Sequence, residues 1–100
     1  MALIKTPESV RKDLSRKVKR RRLDANLSQQ GLADRSGVSI ATLRVFERTG
    51  KVSLENLLKL ASALGQLDAF ESLFTKSSDE ISSLDELLAE EKQRQRGRIK

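Results

Sequence analysis

Apolar residues in this chain recur three and four positions apart, and no segment alternates apolar with polar over the length of a strand. The pattern predicts helices joined by short turns. Thr6-Pro7 announces the first: a hydroxyl cap, then proline at the first helical position, where its missing N–H costs nothing. Val10, Leu14, Val18 and Arg22 follow at i+4 spacing, a thin inward stripe on a helix otherwise covered by lysine and arginine. Such a helix needs a packing partner. Ser28 predicts the cap of a second helix with Leu32 and Ala33 inward, and Gly37 stands where a helix C-terminus favours a left-handed residue. Ser39 predicts the cap of a third, Ile40 to Arg48, with Leu43 and Phe46 inward and Thr49-Gly50-Lys51 ending it. Ser53 opens a fourth, Leu54 to Leu64, carrying Leu54, Leu57, Leu58, Ala61 and Leu64, and Gly65 closes it. Asp68 and Glu71, three apart, predict a capping box for a short helix containing Phe70, Leu73 and Phe74.

This reading makes residues 6–75 one all-α domain and residues 76–100 a tail that is either helical or flexible. The polar stretch TKSSDEIS, residues 75–82, reads as a linker. Ser83 and Glu86 form a further capping box ahead of Leu84, Leu87 and Leu88, which predicts an extra helix over 84–95. Those three leucines either dock on a partner subunit or another protein, or belong to a marginal solvated helix. The final QRQRGRIK has no apolar period and is expected to fray.

Charge is distributed unevenly. Residues 1–22 hold nine Lys/Arg against two acids (+7), residues 67–91 hold one lysine against eight acids (−7), and residues 92–100 hold five bases and no acid (+5). Two basic ends suggest a polyanionic partner for at least one of them, although a basic run is also a common way to keep a helix face soluble. The chain has no cysteine and no histidine. It therefore lacks a disulfide framework, a thiolate nucleophile, the usual general base and the commonest metal ligand, so neither an enzyme nor a metal or cofactor site is expected. No apolar run approaches the ~20 residues that span a bilayer, and MALIKTPES lacks the apolar core of a signal peptide. A cytoplasmic protein without membrane contact is the expectation.

Function is carried by the second and third helices. Two helices joined by a tight glycine turn, the second with a polar outer surface, make a helix-turn-helix. Ala33 precedes Gly37 by four residues and Leu43 follows it by six: a small residue for close crossing, a turn, and a locking leucine. The rival is an ordinary helical hairpin. With Leu43, Phe46 and Glu47 inward, a rotation of about 100° per residue places Ala41, Arg44, Val45 and Arg48 outward. Ser39, Ile40 and Ala41 lie at the N-terminus of the third helix, the end that approaches base edges in such motifs. Arg44 is the one long outward hydrogen-bond donor in mid-helix and is expected to read a guanine, with a phosphate contact as the alternative. Ile40, Ala41 and Val45 offer apolar contact suited to thymine methyls, and Ile40 serves equally as a packing residue. Lys51 is either a phosphate contact or a solvated lysine. Glu47 on an inward face requires a partner, because an unpaired buried carboxylate is costly.

Leu27-Ser28-Gln29-Gln30-x-Leu32-Ala33, then Ser36-Gly37-Val38-Ser39 and Phe46-Glu47-Arg48, resembles the phage repressor/Cro-type (XRE) helix-turn-helix family over about residues 10–75. The resemblance implies a five-helix repressor-type domain that binds double-stranded operator DNA as a two-fold dimer, its third helix in the major groove. It also implies phosphate contacts from Gln29 and Thr42 and an ion pair between Arg22 and Glu47. Two features depart from the pattern: Gly31 stands where an acidic residue is frequent, and Thr49 lengthens the usual Glu-Arg-Gly turn by one. FERTGKVSLENLLKLASALG, the F-x-x-L-F at residues 70–74 and the SLDELL…KQRQRGR tail are similar to HipB-like antitoxins, DNA-binding partners of HipA-type kinase toxins. The expectation is a homodimeric repressor of its own operator that restrains a HipA-like kinase. Phe70, Leu73 and Phe74 would be core residues first and dimer contacts second. The alternatives are a phage or prophage repressor without a toxin, and a protein-interaction module that has lost DNA binding.

Overall fold

A computed structural model describes residues 5–75. By internal contacts the chain divides into two compact units, Met1–Phe70 and Glu71–Lys100, and of the second only residues 71–75 are described. Every regular element among the described residues is a helix: α1 Pro7–Asp24, α2 Gln29–Ser36, α3 Ile40–Thr49, α4 Leu54–Ala63 and α5 Asp68–Glu71. The predicted tail helix with Leu84, Leu87 and Leu88 lies outside the described residues.

Hydroxyl caps start four of the helices. Thr6 Oγ1 accepts from the Ser9 N–H at 3.0 Å while Ser9 Oγ accepts from the Thr6 N–H at 3.0 Å, a reciprocal box ahead of Pro7. Ser28, Ser39 and Ser53 accept from the N–H three residues on, at 2.9, 3.1 and 3.1 Å. Each satisfies one backbone donor that the first turn leaves without a partner. Gly37 and Gly50 end α2 and α3 in the left-handed region, at φ 78° and 82°. α3 runs one residue further than the pattern predicts. Thr49 closes its hydroxyl on the Val45 carbonyl at 2.7 Å, completing the last turn before Gly50.

α1 packs on α3, and α2 lies against both α3 and α4. Leu32, Val38, Leu43, Phe46, Leu57 and Leu60 form the buried core, with Leu14, Val18, Leu27, Leu64 and Phe70 among the side chains closing over it. Four inward assignments need correction. Val10 is 50% exposed and Ser15 is buried instead. The line of α1 that meets α3 runs through Arg11, whose Nε reaches the Thr49 carbonyl at 3.4 Å, so the stripe follows the helical repeat of 3.6 rather than strict i+4 steps. In α4 the inward row is Leu57, Leu60, Ala61 and Leu64, whereas Leu54 is 67% exposed at the helix start. Leu73 and Phe74 are exposed, because α5 begins at Asp68 itself and ends at Glu71, too early to carry them on one face with Phe70.

The exposed face of α1 is laced by Lys12–Glu8, Lys17–Asp13 and Arg20–Asp24 pairs at 3.1–3.2 Å. The Lys12 ammonium, by hydrogen bond and then by charge, with Arg11 adding to it, holds the Glu8 carboxyl below its ordinary titration range. No helix among the described residues is long and apolar enough to cross a membrane.

Candidate nucleic-acid interface

The α2–α3 corner is built by local chemistry. Gly37 donates its N–H to the Ala33 carbonyl at 2.9 Å, closing α2, and Ser36 Oγ accepts the Val38 N–H at 3.2 Å. Val38 then drops into the core at 3% exposure, and Ser39 starts α3 immediately. Ala33 is buried at the crossing, where a larger side chain would hold the helices apart.

α3 has two unlike faces. Leu43 and Phe46 are completely buried, while Ala41, Arg44, Val45 and Arg48 are exposed. Ile40 and Thr42 are half-buried on the margins, Ser39 is exposed at the cap, and Lys51 is exposed just past the helix. Ser39 Oγ donates to Thr42 Oγ1 at 2.8 Å, which fixes the Thr42 hydroxyl beside the helix N-terminus. None of the side chains on the exposed ridge belongs to the buried core of the described residues. Arg44, Arg48 and Lys51 make no ion pair among the described residues, although Lys51 lies near enough to Glu8 to help hold its carboxyl down.

Behind the ridge runs a chain of polar contacts. Arg22, at the end of α1, donates Nε to Glu47 Oε2 at 2.8 Å and Nη2 to Glu47 Oε1 at 3.1 Å. Its remaining Nη1 donates to the Leu27 carbonyl at 2.8 Å. Both side chains are nearly sealed from water, at 7% and 5% exposure, so this is a bidentate pair in a poorly solvated setting. Glu47 Oε1 also accepts from Gln29 Nε2 at 3.0 Å, and Gln29 Oε1 accepts from Arg44 Nε at 3.3 Å. No buried side-chain polar atom among the described residues lacks a partner.

The last two bonds escaped the sequence. Gln29 is expected to face phosphate, and its side chain is already held at both ends within the protein, with one amide hydrogen left over. The signal was present but faint. Arg44 and Glu47, three apart on α3, flank one line along the helix, and the first residue of α2 comes to that line only once the turn at Gly37 is made. The Arg22 bond to the Leu27 carbonyl, which ties α1 to the loop before α2, has no sequence signature. Phe70 is half-buried against the core, Leu73 and Phe74 are exposed, and Leu84, Leu87 and Leu88 lie outside the described residues.

An exposed cationic helix face presented by a buried helix-turn corner is the architecture of proteins that read duplex DNA. The family model described as Helix-turn-helix matches residues 18–71, more than half of the chain, and the protein belongs to that family, whose members are DNA-binding regulators. No curated protein matches the chain. No solved structure matches it.

Proposed function

We propose that this regulator is a repressor that occupies its own operator as a homodimer, with α3 in the major groove. The observation that carries the reading is the division of α3 into a wholly buried face, Leu43 and Phe46, and an exposed face of Ala41, Arg44, Val45 and Arg48. Arg44 reads a guanine, Ile40, Ala41 and Val45 touch thymine methyls, and Ser39 and Thr42 with the helix N-terminus hold the backbone. Arg48 and Lys51 add phosphate contacts. One domain reads one half-site, and operator selectivity comes from pairing two. The exposed Leu54 and Leu67 beside Leu58 offer apolar surface for a second copy, with Leu73 and Phe74 as further candidates.

Two measurements test this. Arg44→Ala is expected to reduce discrimination between the preferred duplex and unrelated DNA by about 1–3 kcal/mol. Lys51→Ala is expected to weaken binding to all sequences alike and to flatten the salt dependence by about one unit of slope. Filter binding across a salt series separates the two behaviours. If wild-type binding is blind to sequence and unchanged by Arg44→Ala, the repressor reading fails, and a protein-interaction module takes its place.

The finer proposal is a HipB-like antitoxin restraining a HipA-like kinase, supported by the resemblance of residues 46–65 and of the F-x-x-L-F and tail motifs. An untagged product of the neighbouring gene is expected to co-purify with the full chain and to be lost on deleting residues 76–100. If no neighbour is retained, the phage or prophage repressor reading stands.

A further inference from the structure

The bond between Arg44 and Gln29 uses one specific nitrogen. Arg44 donates through Nε at 3.3 Å, which leaves both terminal nitrogens, Nη1 and Nη2, at the outer end of an exposed side chain. These form the edge of a guanidinium that pairs with two acceptors side by side. Gln29 cannot turn its amide around without loss. Its Nε2 lies 3.0 Å from Glu47 Oε1, and reversal would set its carbonyl oxygen against that carboxylate and its amide hydrogens against Arg44. Glu47 in turn is fixed by two bonds from Arg22, itself anchored to the Leu27 carbonyl. The series Arg22–Glu47–Gln29–Arg44 thus begins at a sealed ion pair and ends at a solvent-facing cation.

We propose that Gln29 is a positioning residue for Arg44: held by Glu47, it takes the Arg44 Nε and presents the terminal edge of the guanidinium to a base. This rests on the reading of Arg44 as the base-reading side chain. The consequence is that the ordering cost of a long, flexible side chain is met before DNA arrives, so the contact gains in selectivity. A glutamine acting only as a phosphate ligand would contribute equally on every sequence.

The test uses the full chain and three variants: Gln29→Met, which keeps length and removes both bonds, Arg44→Ala, and the double variant. Each is checked by thermal melting and then titrated with the duplex that wild type selects from a random library and with an alternating dI-dC polymer. Gln29→Met is expected to lower the ratio of the two affinities about tenfold and to cost less than about twofold when Arg44→Ala is already present. Equal losses in both backgrounds would show that Gln29 acts independently and would overturn the proposal. An unchanged ratio in Arg44→Ala alone would instead overturn the base-reading assignment. Nitrogen relaxation at the Arg44 Nε of the free protein keeps the two failures apart. Loss of its rigidity in Gln29→Met supports the hold of Gln29 on Arg44 whatever Arg44 reads, and unchanged relaxation removes that hold.

Discussion

Gly50→Ala is expected to destabilise the domain by about 2–5 kcal/mol, the sum of a left-handed backbone penalty and a steric clash that the neighbouring chain cannot relieve. Gly50 sits at φ 82° at the end of α3. A β-carbon there would lie 2.8 Å from both the carbonyl carbon and the oxygen of Arg11 and 2.7 Å from its Cγ. The obstruction is mostly backbone, in the second turn of α1, so relief requires α1 and α3 to separate. That contact orients α1 on the core, and a domain of this size rests on a margin of roughly 5–10 kcal/mol. The melting temperature should therefore fall by about 10–30 °C. Gly37→Ala supplies the control. Its φ of 78° is equally left-handed, but no atom lies within 4 Å of the added carbon. Only the backbone penalty of about 1–2 kcal/mol then applies. Equal losses for the two variants in urea denaturation would show that the approach of α1 to Gly50 carries no energetic weight.

Arg22→Met is expected to cost about 3–5 kcal/mol, because it strands Glu47 without its cation in a site that water barely reaches. The loss should far exceed that from breaking the exposed Lys17–Asp13 pair, whose contribution lies below about 1 kcal/mol. Arg22→Met combined with Glu47→Met should recover much of the deficit, since removing both charges also removes their desolvation. Gln29 would lose one partner in that double variant, but it is half-buried and can exchange it for water. Equilibrium unfolding of the two single variants and the double variant decides the matter. A double variant no more stable than Arg22→Met would mean that lost packing, not a stranded carboxylate, sets the cost.

What the sequence disclosed and what it withheld separate along physical lines. Caps at Thr6, Ser28, Ser39 and Ser53 and the left-handed residue at Gly37 depend on atoms within a few positions of one another, and each is legible in the sequence alone. The unlike faces of α3 were legible for the same reason, since burial of Leu43 and Phe46 sets the rotation of everything between them. Val10 against Ser15 and Leu54 against Leu60 were not, because in a helix rich in leucine or lysine several rotations satisfy the period and only the neighbouring helix selects one. The close approach of Arg11 to Gly50 spans α1 and α3, and the bond from Gln29 to Arg44 crosses the turn. Neither distance exists until the chain has closed on itself.

The split character of α3 has a consequence for how such a regulator changes over time. Ala41 and Val45 lie on the exposed face of α3, outside the buried core. On the proposed DNA-binding mode, novel target preferences are open to single-codon drift at those two places without rebuilding the core. Position 44 is different: a newcomer there meets the Gln29 amide, so on the proposed mode a successful replacement must suit that upstream group as well as a nucleotide.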